Sequence, residues 1–107
     1  MRTSMMAAGL LAMAAAMAAG AAGCERQQAP DYPLAALRDG VAGVVTVTFK
    51  VSADGKVAGI GGAAFSASIP PQYRSGFRAE IAKALREYRC VPGAALSQAF
   101  EFRPEEE

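Results

Sequence analysis

The chain has 107 residues, 11 Lys and Arg against 10 Asp and Glu, two Cys, and neither His nor Trp. That length holds one small domain, and the near-neutral balance supplies no basic stripe for nucleic acid. Without His and with only two Cys, His-based triads and multi-ligand Cys/His zinc sites are excluded, and no cofactor or metal is expected.

Residues 1–23 read as an address. Arg2 supplies a positive start, Met5 to Gly23 is apolar throughout, and Ala21-Ala22-Gly23 gathers small residues before Cys24. This is the layout of a secretory signal peptide. A retained membrane anchor is the alternative, since 19 apolar residues at about 1.5 Å each could just span a bilayer core. Only Leu10 and Leu11 would drive such insertion. Ala21-Ala22-Gly23-Cys24 resembles a bacterial lipoprotein box with Ala21 where Leu is usual, which makes Cys24 a lipid-attachment candidate. Lipidation is the favoured reading; alternatively, Ala19-Gly20-Ala21 suits an ordinary signal peptidase, which would release the chain. In the second case an oxidising compartment and an even Cys count suggest a Cys24–Cys90 disulfide. Cys90 also reads as plain core, because free Cys packs like a small hydrophobe.

Glu25 to Asp31 reads as a short polar tether, giving residues 24–31 that role. Pro33 to Asp39 predicts a short helix stopped by Gly40. Val44 to Val51 predicts a strand with Val45, Val47, Phe49 and Val51 on one face. Asp54-Gly55 turns the chain, and Lys56 to Phe65 returns as a second strand. There Val57 and Ile60 fall out of phase, and Gly59, Gly61 and Gly62 suggest a bulge or a close backbone approach. No phosphate loop is expected from these glycines, because the required helix with its Lys and Ser/Thr does not follow.

Pro70-Pro71 opens the main helix, expected from Gln72 to Arg89, with Tyr73, Phe77, Ile81, Leu85 and Tyr88 as its apolar stripe. Arg74, Arg78, Lys83, Arg86 and Arg89 against Glu80 and Glu87 read as a solvated face. Val91-Pro92-Gly93 breaks the helix, and Leu96 to Phe102 is the last strand. Residues 104–107 form an acidic tail. The order helix-strand-strand-helix-strand predicts a two-layer α+β domain, a three-stranded antiparallel sheet with one long and one short helix packed on it. Such an open sheet leaves an edge unpaired, able to accept a strand from another protein.

The residues resemble the C-terminal domain of TonB proteins over about residues 30–103, with the domain itself at 32–103. The resemblance rests on Tyr32-Pro33, Ala36, Gly40 and Gly43, on Val45, Val47, Phe49 and Val51, on Asp54-Gly55 and Val57, and on Tyr88-Arg89-Cys90-Val91-Pro92. The last group is similar to the family's aromatic-basic-aromatic-x-Pro signature, with Tyr88 where Trp is commoner and Cys90 where Phe is usual. Gly40 and Gly43 read as turn residues. The functional His and long Pro-rich spacer of the energy-transducing members have no counterpart, so energy transmission by this chain alone is not expected. What the resemblance implies is a protein-binding module that works by backbone pairing, and with the leader and Cys24 the chain reads as periplasmic, non-enzymatic and lipid-anchored. Its implied partner is an extended segment of an envelope protein such as an outer-membrane receptor, with a link to TonB-type transport. The edge expected to pair is Leu96, Ser97, Gln98, Ala99, Phe100, Glu101 and Phe102. An assembly lipoprotein using the same edge for homodimerisation, its self-association lost on placing a proline at Gln98, is the alternative.

Overall fold

A computed structural model describes residues 23–104. The signal-peptide reading of 1–22 and the acidic tail at Glu105 to Glu107 lie outside the described residues. The element order is β1 (Cys24–Arg26), α1 (Leu34–Arg38), β2 (Gly43–Val51), β3 (Val57–Phe65), α2 (Pro71–Leu85), β4 (Arg89–Cys90) and β5 (Ala95–Phe102). β3, β2 and β5 form an antiparallel sheet in that order, with β2 central, and β1 pairs with β4 in a separate two-stranded ribbon. The domain is α+β in two layers, with both helices on one face of the three-stranded sheet.

Alternation along β2 puts Val45, Val47, Phe49 and Val51 into the core, while Thr48 and Lys50 are exposed. β3 returns with its phase corrected by two register shifts, at Thr48/Phe49 and at Lys50/Val51. Each absorbs an extra residue, so Val57, Ile60, Ala63 and Phe65 all face the helices opposite Val51, Phe49, Val47 and Val45. This accounts for the broken alternation of the sequence. β5 pairs with β2 without a register shift, from Gly43↔Phe102 to Lys50↔Ala95.

α2 lays Phe77, Ile81 and Leu85 on the sheet, each at most 2% exposed. Phe77 meets Phe102 edge-on at 4.8 Å between ring centroids, and Tyr32 meets Phe102 at 5.6 Å. The helix ends four residues before the expected Arg89. Its last turn tightens through Glu87 N–H to the Ala84 carbonyl and Tyr88 N–H to the Leu85 carbonyl, because Arg89 and Cys90 extend to pair with β1. Correspondingly, the expected tether is shorter: its first three residues form β1, and Pro30 is already buried.

Gly43 is not a turn glycine. Its φ is not positive, unlike that of Gly40 at 71°, and it opens β2. A Cβ there would lie 2.5 Å from Ser66 Oγ, 2.6 Å from Ser68 Oγ and 2.7 Å from Ile69 Cγ1. Gly43→Ala is expected to lower stability by about 1–3 kcal/mol through overpacking, read as a lower urea midpoint with unchanged slope.

Candidate functional site: the open sheet edge and its disulfide-bonded end

The backbone direction of β5 follows from the bonds at both ends of β2. Ser66 N–H donates to the Val44 carbonyl at 2.9 Å, so Val44 turns its backbone toward β3. Val51 N–H donates to the Ala94 carbonyl at 2.8 Å, and Gly93 N–H to the Val51 carbonyl at 3.0 Å, so Val51 turns toward β5. Alternation between these ends directs Val45, Val47 and Phe49 at β5. Their partners Phe100, Gln98 and Leu96 therefore spend their backbone groups inside the sheet. Ser97, Ala99 and Glu101 point theirs away from it, and among the described residues these groups pair with no other strand.

Of the seven residues expected to form the docking edge, three thus offer backbone groups to a partner. The other four hold the strand in place. Gln98, Phe100 and Phe102 also bury their side chains, at 2%, 0% and 0% exposed. A proline at Gln98 is consequently the wrong block, since it would break the pairing with Val47 before it touched any partner. The opposite edge, β3, is blunted by its two bulges and its Gly-rich outer residues, devices that discourage strand addition.

Gln98 carries a polar group into the core beneath this edge. Its Nε2 donates to Tyr88 Oη at 3.0 Å, while Oε1 is buried without a hydrogen-bond partner among the described residues. Burial raises the Tyr88 phenol pKa, an effect partly offset by the Gln98 hydrogen bond. Tyr88→Phe is expected to cost about 1–3 kcal/mol, because the buried Gln98 amide then loses its hydrogen bond to the Tyr88 hydroxyl. Adding Gln98→Met should recover most of that loss, and a double-mutant cycle of urea midpoints checks both.

At the far end of the sheet, Cys24 and Cys90 stand directly opposite in the β1–β4 ribbon and form a disulfide. A sulfur so bonded has no thiol left for a diacylglyceryl group, so the disulfide and the lipid anchor are mutually exclusive states of Cys24, and this structure holds the disulfide. Cys90 N–H also donates to the Gly55 carbonyl at 2.9 Å, and Val91 N–H to the Gly23 carbonyl at 2.7 Å. The ribbon is thereby tied to the β2–β3 turn. Gly55, at φ 85°, is required twice: by the turn, and by Cys90 O at 3.1 Å from where its Cβ would stand. No sequence signal marked β1, because three residues with one apolar position show no periodicity.

Two carboxylates brace the periphery. Asp54 accepts from the Ser52 hydroxyl and from Lys56 N–H, and these bonds lower its pKa in that order. Asp39 accepts from Arg38 and from the Tyr73 hydroxyl at 2.6 Å, joining α1 to α2, and its pKa is lowered as well. A depressed carboxylate contributes stability above its unfolded value of about 3.9 and loses it as pH falls through the folded value. The Tm is therefore expected to be flat above pH 5 and to fall below pH 4, with a shallower fall in Asp39→Asn.

On α2, Arg74 and Arg78 both lie over the Phe65 ring, at 5.4 and 5.2 Å. Lys83 pairs with Glu80 at 3.2 Å, and Arg89 caps the Tyr88 carbonyl from β4. Among the described residues, no three His, Cys, Asp or Glu side chains come together as metal ligands, and no helix is long and apolar enough to cross a membrane. Compared with protein-family models, curated proteins and solved structures, the chain matches none.

Proposed function

We propose that the chain is an exported, periplasmic, TonB-C-terminal-like protein-binding module, non-enzymatic, which adds an extended segment of an envelope partner to the free edge of β5. The observation that carries this reading is the geometry of that edge. β5 pairs with β2 without a register shift, and Ser97, Ala99 and Glu101 present their N–H and C=O groups outward. A partner strand would satisfy those groups with main-chain bonds, and its alternate side chains would supply specificity. A segment of an outer-membrane receptor facing the periplasm fits this mode, and with it a link to TonB-type transport.

Photo-crosslinking in the intact envelope tests the reading. A benzophenone amino acid at Ala99 on β5 is expected to capture an envelope protein, while the same probe at Ala58 or Ala64 on β3 captures none. Capture of a second copy of this chain from Ala99 would replace the docking function by homodimerisation through the same edge. Capture from β3 alone would overturn the choice of edge.

A further inference from the structure

We propose that the Cys24–Cys90 bond is a thiol–disulfide exchange site for a protein dithiol, that Cys24 Sγ is the sulfur attacked, and that exchange releases strand β1 while the domain stays folded. The inference is independent of the docking reading.

Access distinguishes the two sulfurs. Cys24 is half-buried on a three-residue strand whose other members, Glu25 and Arg26, are exposed, whereas Cys90 is 7% exposed. The bond borders an open concavity of about 500 Å³ lined by Gly23, Cys24, Glu25, Cys90, Val91 and Pro92. Val91, 55% exposed, gives that concavity an apolar ledge, the kind of surface on which a protein reductant seats. Attack needs a thiolate to reach a sulfur, and Cys24 is the more exposed of the two residues.

Besides this bond and the packing of Cys24 against the edge of the core, the strand is held only by short pairing and peripheral contacts. β1 pairs with a two-residue partner. Its flanking contacts include Val91 N–H to the Gly23 carbonyl, the Gln27 amide donating to the Cys24 carbonyl at 3.3 Å, and an ion pair of Arg26 with Glu87 at 3.9 Å between exposed side chains, a type worth little. Immediately downstream the chain is anchored independently. Pro30 is buried, and Tyr32 is buried among Phe77 and Phe102, with its hydroxyl donating to the Val41 carbonyl at 2.6 Å. Release therefore stops at Pro30.

In the exchange, one thiolate of the dithiol forms a bond to Cys24 Sγ. The Cys24–Cys90 bond breaks, and its electron pair leaves on Cys90 Sγ, which takes up a proton. The second thiol of the dithiol then attacks its own partner sulfur in the mixed disulfide. Cys24 departs as a thiolate and is protonated. Two electrons pass from the dithiol, which ends as a disulfide, to the chain, which ends with two thiols.

The test uses the full mature chain isolated from the envelope without reductant. It is mixed with a thioredoxin-fold dithiol protein whose second active-site Cys is changed to Ser, so that the mixed disulfide is trapped and located by peptide mass. The expected adduct is on Cys24, at least tenfold over Cys90. After full reduction, the amide signals of Cys24 to Gln28 are expected to move to random-coil positions. Those of Val45, Phe77 and Phe100 should keep their native dispersion, as they should in a Cys24→Ser variant. An adduct on Cys90, no adduct, collapse of the whole spectrum, or β1 signals that do not move would each overturn the proposal.

Discussion

Ala99→Pro is expected to abolish partner capture at the sheet edge while leaving the domain folded, and Gln98→Pro is expected to unfold it. The two positions are adjacent, yet their backbone groups point in opposite directions. The Ala99 N–H faces away from β2, and proline is tolerated on an edge strand where the lost N–H faced solvent. Its Tm should fall by no more than a few degrees. A partner strand, however, loses a main-chain donor and meets the pyrrolidine ring, so affinity should drop at least tenfold, or about 1.4 kcal/mol. Gln98→Pro instead removes an N–H directed at Val47 and deletes the buried amide that satisfies Tyr88. That combination is expected to cost about 3 kcal/mol or more. Thermal melts by circular dichroism, paired with the Ala99-based capture assay, separate the two effects.

The second large effect is loss of the disulfide. Cys24 and Cys90 are 66 residues apart, so their bond encloses every described element except β5. In the chain-entropy account, cutting a loop of that size releases about 4 kcal/mol of constraint on the unfolded chain. For a domain of this size that corresponds to a Tm lower by roughly 15–30 °C. The doubly substituted Cys24→Ser, Cys90→Ser chain should melt that much earlier, with its room-temperature spectrum native outside β1. The contrast is physical: the bond acts on the global equilibrium through the unfolded state, and on the folded state only at β1.

Much of this architecture was legible because long periodic segments announce themselves. The Val45–Val47–Phe49–Val51 alternation and the Phe77–Ile81–Leu85 stripe each fix a face, and both faces are buried as the pattern requires. β3 was harder, since two bulges shift its phase and a period-2 template reads them as disorder in the pattern. β1 and the early end of α2 were invisible for a shared reason. Arg89-Cys90 leaves the helix to pair with Cys24, and a contact across 66 residues leaves no local trace. Gly43 was misread as a turn because sequence shows that a glycine is present and not whether conformation or close packing demands it. The last strand is legible from its alternation, but the division into outward Ser97, Ala99 and Glu101 and inward Leu96, Gln98 and Phe100 depends on hydrogen-bond phase. Side-chain pattern alone does not carry that phase.

The most direct measurement is amide hydrogen exchange of the disulfide-bonded chain, with and without synthetic peptides spanning the periplasm-facing N-terminal segments of outer-membrane receptors from the same cell. The account predicts that a binding peptide slows exchange at Ser97, Ala99 and Glu101 together and leaves the β3 amides unchanged. Binding that protects β3, or that leaves those three amides exchanging at their free rate, would contradict it.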